Sequence, residues 1–413
     1  MSRPAPLVAV ALAALVSASC SPEAREPVIG TWTLTGAMNE PRSQYALTPL
    51  SDGRVLAAGG CDSYSDPFMG CTALATAEVY DPVTGIWTPT GSMNEARRNY
   101  GAALLPDGRV LVAGGCSGVQ LYGCRATAEL YDPATGGWTS TGEMATPRSS
   151  GESNRSMVVL PTGKVLFVGG YEPDLGAVTS GAEIYDPTSG TWEHAAPMKT
   201  PRAYPSTVLL PSGKVLVVGG VVGMPPHQYG TASAETYDPE RNEWAETGSL
   251  NRQVLLNTLT LLPTGEVLLT NGLPWPAAWP PTAEADIYDP VKELWRPAHS
   301  MHLPRYQVPS AVRLASGRVL VAGGNYIDRD ELGRDAYMAL QGEIYDPWLD
   351  TWTMTPVMRH YVLDHGAAAL LPSGDGLYAG GLVYNGRGRL GETQFAISAS
   401  QVFREGPVPE VSP

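Results

Sequence analysis

Residues 101–144 read GAALLPDGRVLVAGGCSGVQLYGCRATAELYDPATGGWTSTGEM, and this stretch carries the signals that the rest of the chain repeats. Short apolar runs are separated by Pro-Asp-Gly at 106–108, by Gly-Gly at 114–115 and by Asp-Pro-Ala-Thr-Gly at 132–136. Proline presets φ at the first corner of a turn and glycine supplies positive φ, so these segments predict tight turns. The stretch is therefore predicted to form a four-stranded antiparallel sheet.

Such a sheet has two apolar faces, so further copies are expected to stack against it. Gly-Gly recurs every 50 to 57 residues, at 59–60, 114–115, 169–170, 219–220, 323–324 and 380–381, with a weaker Asn-Gly at 271–272. A tryptophan follows each Tyr-Asp-Pro at a constant distance, giving the pairs Tyr80/Trp87, Tyr131/Trp138, Tyr185/Trp192, Tyr237/Trp244, Tyr288/Trp295 and Tyr345/Trp352.

The two ends of the chain complete a seventh unit. Trp32 has no Tyr-Asp-Pro before it, and the Ser-Gln-Val-Phe segment at 400–403 resembles a third strand with no tryptophan strand after it. Joining these ends closes a ring and leaves no free sheet edge. We therefore predict an all-β fold, a seven-bladed β-propeller over residues 28–404 with a C-terminal tail at 405–413.

The combination of Gly-Gly, Glu-x-Tyr-Asp-Pro and Trp at this period resembles the kelch repeat of β-propellers. It is similar to the propeller domain of galactose-oxidase-like proteins. The resemblance implies the fold but not the activity, because propellers serve as enzymes, receptors and scaffolds. The copper oxidases of that family carry an adjacent Tyr-His pair, whereas this chain has His360-Tyr361 in the reverse order. A copper-radical oxidase is not expected, and neither a metal nor a cofactor is predicted.

The first 20 residues resemble an export signal. Arg3 precedes an apolar run at 7–16 that is too short to span a bilayer as a helix. Val16-Ser17-Ala18 fits an ordinary cleavage site, whereas Ser17-Ala18-Ser19-Cys20 resembles a bacterial lipobox. Under the second alternative, Cys20 is lipidated, and residues 21–27 form a linker. We expect an exported protein, a lipoprotein of the bacterial cell envelope or else secreted, that meets the membrane only through this anchor.

The four remaining cysteines are placed in equivalent loops of two consecutive units. Cys61 and Cys71 follow the first Gly-Gly, and Cys116 and Cys124 follow the second. An exported protein meets an oxidising compartment, so we predict the disulfides Cys61–Cys71 and Cys116–Cys124. The alternative of a metal site has less support, because the loops contain no CxxC motif and no histidine.

The charge balance bears on the class of partner. The chain has 27 lysines and arginines against 41 aspartates and glutamates, a net charge of −14. Nucleic-acid-binding proteins carry basic patches, so a nucleic-acid partner is not expected. The closed ring is expected to be a monomer.

The predicted strand order separates two faces of the ring. The Pro-Asp-Gly and Asp-Pro-x-x-Gly turns share one face, which we call the plain face. The loops after Gly-Gly and the connections between units share the opposite face, the loop face, which carries most of the variation in length and composition. Variable loops on a rigid scaffold usually hold the binding residues, so the function is predicted to lie on the loop face.

Arginines recur where the chain enters each unit, in Met-x-x-Pro-Arg segments or close relatives of them. They are Arg42, Arg97, Arg148, Arg202 and Arg305, with Arg252 and Arg359 out of register. One hypothesis is an open ring that binds acidic groups through guanidinium forks. The other is a structural role, with pairing to backbone carbonyls or to the repeated acidic positions, Glu78, Glu129, Glu183, Glu235, Asp286, Glu343 and Gln401.

The Pro-rich loop at 273–281 adds Trp275 and Trp279 as candidate stacking residues. Together these features predict a binding or scaffold protein that recognises a partner protein or an acidic carbohydrate at the loop face. The alternative is a sugar mutarotase or epimerase similar to the exported sialic-acid mutarotase of the kelch type. No catalytic residue of that enzyme can be matched in this chain.

Overall fold

A computed structural model describes residues 29–66, 70–118, 123–150, 156–172, 176–223, 229–270, 282–305, 310–329, 335–338, 340–359, 366–384 and 394–406. Within these ranges every named element is a β-strand, and seven four-stranded antiparallel sheets form the blades of a closed ring. The prediction of an all-β, seven-bladed propeller is confirmed. None of the described segments is a helix of the length and apolarity needed to cross a bilayer.

The blades are numbered I to VII from the N-terminus, and each has an inner strand, two middle strands and an outer strand. Blade I consists of β2 (Ala46–Pro49), β3 (Val55–Ala58), β6 (Ala77–Asp81) and β7 (Ile86–Thr90). Blade II consists of β8 (Gly101–Leu104), β9 (Val110–Ala113), β10 (Ala128–Asp132) and β11 (Gly137–Thr141). Blade III consists of β12 (Met157–Val159), β13 (Val165–Val168), β16 (Ala182–Asp186) and β17 (Thr191–Ala195).

The remaining blades repeat this order. Blade IV consists of β18 (Ser206–Leu209), β19 (Val215–Val218), β22 (Ala234–Asp238) and β23 (Glu243–Thr247). Blade V consists of β24 (Thr258–Leu261), β25 (Val267–Thr270), β26 (Ala285–Asp289) and β27 (Leu294–Pro297). Blade VI consists of β28 (Ser310–Arg313), β29 (Val319–Ala322), β32 (Gln341–Asp346) and β33 (Thr351–Val357).

Blade VII is built from both ends of the chain. Its strands are β34 (Ala367–Leu370), β35 (Gly376–Ala379), β38 (Ser400–Arg404) and, as the outer strand, β1 (Thr31–Leu34). The antiparallel register places Trp32 opposite Phe403, and the two ring centroids lie 5.0 Å apart. The predicted closure by the Trp32 strand is confirmed. It protects an edge that would otherwise be free to pair with another chain.

The inner strands surround the ring axis. Each of the seven contacts the inner strands of both neighbouring blades, including β34 of blade VII against β2 of blade I. The second strands lie between sheets, and all four residues of each are buried. Burial on both faces explains why these strands read as continuous apolar runs such as Val-Leu-Val-Val at 215–218.

The Tyr-Asp-Pro and Trp positions join adjacent blades. The tyrosine and tryptophan rings of one blade pack with centroids 5.0–5.2 Å apart in the six units with this motif. In blade V, the Trp295 indole N–H donates to the Gly248 carbonyl at the end of blade IV, at 2.8 Å. The Tyr288 hydroxyl shares a hydrogen bond with Thr247 of blade IV. A single motif therefore supplies both the packing within a blade and a polar contact with its neighbour.

Close approach between blades also explains a repeated glycine. Gly36 follows the outer strand of blade VII, and its N–H donates to the Gly85 carbonyl of blade I at 2.9 Å. A Cβ atom at residue 36 would lie 2.4 Å from the Gly85 oxygen. Only glycine allows the two backbones to reach hydrogen-bonding distance there.

The loops after Gly-Gly form small sheets on the loop face. They contain the pairs β14 (Tyr171–Glu172) with β15 (Ala177–Val178), β20 (Val221–Val222) with β21 (Tyr229–Gly230) and β30 (Asn325–Arg329) with β31 (Asp335–Met338). A larger sheet joins β36 (Leu382–Tyr384) and β37 (Gln394–Ala396) of blade VII to β4 (Cys61–Asp66) and β5 (Gly70–Ala73) of blade I. This sheet spans the junction where the ring closes.

Candidate functional site

The entry segments that lead into the inner strands line the loop face. Isolated β-bridges join these segments to the residues just after Gly-Gly, as in Ser43 with Cys61, Arg98 with Cys116 and Ala203 with Val221. The entry segments and the Gly-Gly loops therefore lie side by side on one face, as the strand order predicted. We call the residues where the entry segments meet the inner strands the loop-face mouth.

The repeated arginines lie beneath this mouth, in buried ion pairs. Arg202 of blade IV has no exposed surface, and its Nη2 lies 2.8 Å from Oε1 of Glu235. Its Nη1 donates to the carbonyls of Gly219 and Ser233, each at 3.0 Å. The Glu235 carboxylate also accepts the backbone N–H groups of Lys199 and Thr200. One ion pair thus ties the entry segment to the second and third strands of the same blade.

The same pair occurs in five blades, with Arg–Glu distances of 2.5–3.1 Å and Arg-to-glycine carbonyl distances of 2.8–3.3 Å. The pairs are Arg42–Glu78, Arg97–Glu129, Arg148–Glu183, Arg202–Glu235 and Arg305–Glu343. The structure therefore does not place these five arginines as an open positive ring. The Nη groups of these guanidiniums are held by intramolecular partners, since an uncompensated buried charge would be costly.

This contact also accounts for the first glycine of each pair. Gly169 has a φ of 60°, in the left-handed region. A Cβ atom there would lie 2.4 Å from the Arg202 carbonyl oxygen, the atom that accepts the Gly170 N–H. The Gly-Gly signal therefore reflects the close packing of one blade against the entry segment of the next.

Two blades keep the site with different residues. In blade V, Val254 stands at the arginine position, and Arg252 reaches Asp286 from two residues earlier, at 2.9 Å. In blade VII, Gln401 stands at the glutamate position and accepts the Arg359 N–H at 2.9 Å. Blade VII therefore has a neutral amide at this position, and the nearby Arg359 is exposed.

The pKa of the carboxylate shifts in opposite directions at two of these sites. Burial opposes ionisation of Glu78, but hydrogen bonds from Asn39 and the Glu40 amide, together with the Arg42 charge, outweigh burial and lower the pKa of Glu78. At Asp286 burial dominates and raises the pKa, although Arg252 acts in the opposite direction. Burial likewise lowers the pKa of the Arg202 guanidinium.

Above the ion pairs, one position of the mouth changes its chemistry from blade to blade. Two residues after the arginine position, the chain takes a left-handed conformation with φ of 54–56°, at Gln44, Asn99, Tyr204 and Leu256. Non-glycine residues adopt this conformation rarely and at a cost in free energy. These side chains are amide, amide, phenol and alkyl at equivalent positions. This position is therefore polar at blades I and II, where Gln44 and Asn99 are buried, and largely apolar at blades IV and V, where Tyr204 and Leu256 are partly exposed.

Backbone hydrogen bonds fix the polar half of the mouth across blade boundaries. The Asn99 N–H donates to the Gln44 carbonyl at 3.2 Å, and the Ser150 N–H donates to the Asn99 carbonyl at 2.9 Å. The hydroxyls of Ser149 and Ser150 donate to the same Asn99 carbonyl. Three consecutive blades thus present their mouth residues in a fixed arrangement.

Both predicted disulfides are present, Cys61–Cys71 with a Cα–Cα separation of 5.6 Å and Cys116–Cys124 with 3.8 Å. Next to them lies Arg98, a second arginine that the repeat does not explain. Its side chain crosses from blade II to blade I, where Nη1 donates to Gln44 Oε1 at 2.7 Å. Its Nη2 donates to the Gly118 carbonyl at 3.0 Å.

The sequence pattern identified the repeated arginines. It did not identify the neighbouring mouth residues, which differ from blade to blade. Arg98, Gln44 and Asn99 follow the arginine position by one or two residues, where the equivalent residues vary between blades. This variation between blades is the sequence signal by which these residues could have been identified. Cys20, Trp275 and Trp279, together with His360 and Tyr361, lie outside the described residues.

The galactose-oxidase resemblance implies a copper centre and a cysteine cross-linked to a tyrosine. Among them, no group of three or more histidine, cysteine, aspartate or glutamate side chains is arranged to hold a metal ion. The four cysteines in the described ranges are joined in disulfides, so none is a thiol that could cross-link to a tyrosine.

Comparison with known proteins agrees with the architecture. The family model described as "Kelch motif" matches residues 45–94 and 158–199. The chain is 30% identical over 169 residues to human Kelch-like protein 34 and 29% identical over 158 residues to the kelch repeat-containing protein kel-10 of Caenorhabditis elegans. These matches cover 40% and 37% of this chain, and the chain spans about a quarter of the length of each relative, 24% in both cases.

A solved structure extends the likeness to nearly the whole chain. A copper-bound fungal alcohol oxidase of the AA5 family superposes with a TM-score of 0.68 at 18% identity, covering 91% of this chain and 76% of the oxidase. At this identity the likeness concerns the fold alone. The chain therefore carries kelch motifs, by these matches, within a seven-bladed β-propeller.

Proposed function

We propose that this propeller binds a protein partner at the loop-face mouth. The observation that carries the proposal is the contrast between frame and mouth within one chain. The arginine, glutamate, tyrosine and tryptophan positions repeat and make intramolecular contacts, whereas the mouth position carries Gln44, Asn99, Tyr204 and Leu256 in turn. The repeated positions stabilise the ring. The mouth position, which varies between blades on this rigid frame, is the one suited to recognising a partner.

The relatives support a protein as the class of ligand. Kelch-repeat propellers generally bind protein partners, and the matched relatives are named as a kelch-like and a kelch repeat-containing protein. The mouth combines a polar half with an apolar half that contains the partly buried side chains of Tyr204 and Leu256. Protein interfaces combine apolar anchors with polar contacts in this way.

An acidic carbohydrate has less support than a protein. That hypothesis, and the mutarotase alternative, depended on guanidiniums open to a ligand. The five repeated arginines instead pair with glutamates and with backbone carbonyls inside the blades. Trp275 and Trp279 remain predicted stacking residues.

We also propose that the protein is exported and anchored through Cys20. The apolar segment at 7–16 and the lipobox-like Ser17-Ala18-Ser19-Cys20 support this proposal. The two disulfides agree with an oxidising compartment. Mass spectrometry of the mature N-terminus tests it: a diacylglyceryl group on Cys20 is expected, and a free N-terminus near residue 19 would show secretion without an anchor.

The binding proposal is tested by site-specific photo-crosslinking in the native envelope. A photoreactive phenylalanine replaces Tyr204 at the mouth, and a matched variant carries it at Val83, which is 92% exposed in a plain-face turn. We expect one discrete crosslinked protein from position 204 and none from position 83. The same pattern from both positions, or no crosslinked protein from position 204, would refute the mouth as a protein-binding site.

A further inference from the structure

Arg98 is a buried cation that pairs with no carboxylate among the residues that the structure describes. The residue is 4% exposed, and none of the described carboxylates lies within ion-pairing distance of its guanidinium. Its hydrogen-bond partners are two neutral acceptors, Gln44 Oε1 and the Gly118 carbonyl. Its Nε–H is buried without a partner, as it also is in four of the five repeated arginines, so the missing carboxylate is what distinguishes Arg98. Burying a charge in this way is costly unless something compensates for it.

The adjacent residue shows that the chain can neutralise an arginine at this place. Arg97 has no exposed surface and lies 2.8 Å from Glu129 and 3.3 Å from Glu95. The Arg97 Nη groups also donate to the carbonyls of Gly114 and Thr127. The lack of a counter-ion is therefore local to Arg98, in a chain with a net charge of −14.

Arg98 is also unique among the blades. The residue that follows the repeated arginine is Ser43 in blade I, Ser149 in blade III and Ala203 in blade IV. A small residue at this position is thus sufficient for the frame. The repeat therefore does not require the arginine that blade II alone has at this position.

The two disulfides of the described chain stand on either side of this guanidinium. The sulfur atoms of Cys61 and Cys71 lie 3.4 Å and 3.9 Å from Gln44 Oε1, the acceptor that holds Arg98 Nη1. The Cys116–Cys124 disulfide closes the loop that contains Gly118, the other acceptor. One neutral partner of Arg98 therefore contacts a disulfide and the other lies in a loop closed by a disulfide, which preorganises the group in the absence of a ligand.

We propose that Arg98 is the anchor subsite of the mouth and receives a carboxylate from an aspartate or glutamate side chain of the protein partner. The inference rests on the proposed function and names the chemistry that the partner supplies. A guanidinium with two neutral contacts keeps N–H donors for the two oxygens of one carboxylate. Gly118 is partly exposed, so the guanidinium lies next to the surface. The apolar half of the mouth then contacts a hydrophobic neighbour of that acidic residue.

The subsite is tested first without the partner. In 15N-labelled mature protein, the Nε–Hε resonance of Arg98 is followed while N-acetyl-glutamate methylamide is added, with N-acetyl-glutamine methylamide at equal ionic strength as the control. The glutamate probe is expected to shift this resonance in a saturable manner and to leave that of Arg97 in place. No shift, or an equal shift at both arginines or with both probes, would refute the subsite.

Stability and crosslinking provide a second test. Arg98→Met is expected to lower the urea midpoint much less than Arg97→Met, because only Arg97 has a buried carboxylate, that of Glu129, which would lose its cation. Arg98→Met is also expected to reduce the crosslink from position 204 at least tenfold. An unchanged crosslink would refute the subsite and leave the protein-binding proposal standing. A saturable shift of the Arg98 resonance, with no crosslinked protein from position 204 when Arg98 is kept, would support the subsite and refute the protein-binding proposal.

Discussion

The Arg202–Glu235 pair gives the most direct test of the buried ion-pair frame. Replacing Arg202 with valine copies the residue that blade V carries at this position, Val254. The change leaves the fully buried Glu235 carboxylate without its cation and removes the donor to two backbone carbonyls. Breaking a buried pair by removing one partner costs about 3–5 kcal/mol. We therefore expect Arg202→Val to lower the free energy of unfolding by about 4 kcal/mol.

A double-mutant cycle separates the pair from the rest of the site. Glu235→Gln copies the amide of Gln401 in blade VII and is expected to cost about 2–3 kcal/mol, because it strands the Arg202 charge. In the double variant no uncompensated charge remains. The loss is then expected to fall short of the sum of the single losses by about 2–3 kcal/mol.

Urea denaturation followed by tryptophan fluorescence measures these losses, since each blade contributes a tryptophan at its outer strand. Arg241→Ala is the matched surface control. The Arg241 side chain is 75% exposed and 3.9 Å from Asp238, so its loss is expected to stay within about 0.5 kcal/mol. A loss below about 1 kcal/mol for Arg202→Val, or strictly additive single and double variants, would refute the structural role of the pair.

Three further predictions concern the disulfides, the plain-face turns and the pH dependence. Replacing Cys61 and Cys71 by serine together is expected to lower the free energy of unfolding by about 2–3 kcal/mol, measured by urea denaturation. Glu293 holds a left-handed φ of 55° in a turn where other blades carry glycine, so Glu293→Gly is expected to stabilise the protein by about 1 kcal/mol and Glu293→Ala to give no gain. Hydrogen bonds and the paired arginine outweigh burial and lower the pKa of Glu78 from its ordinary 4.5, so its stabilisation is present above that pH and lost on acidification. Burial raises the pKa of Asp286, so Asp286→Asn should gain melting temperature relative to the wild type as pH rises above 3.8. Glu78→Gln should lose melting temperature relative to the wild type as pH rises to 4.5, with no further change from this group above that pH. Parallel pH profiles for the two variants would contradict both assignments.

The sequence by itself determined the fold, including its closure. Proline and glycine act on backbone torsions within a few residues, so the turns at 106–108 and 132–136 can be recognised locally. Each local signal then recurs six or seven times along the chain. The unmatched Trp32 and the segment at 400–403 sufficed to predict that the two ends share one blade. The disulfide pairing followed equally from cysteines in matching loops.

Only the tertiary structure determined which partners each charged side chain has and whether it is buried. Arg97 and Arg98 are neighbours of identical chemistry, yet one lies between two glutamates and the other has neutral partners alone. The arginine spacing was compatible with an open binding ring and with buried ion pairs. Choosing between them required the position of Glu129, which is 32 residues away along the chain and 2.8 Å away in space. Electrostatic energy depends on distance and burial, and both are set when strands that are remote in sequence pack into one blade.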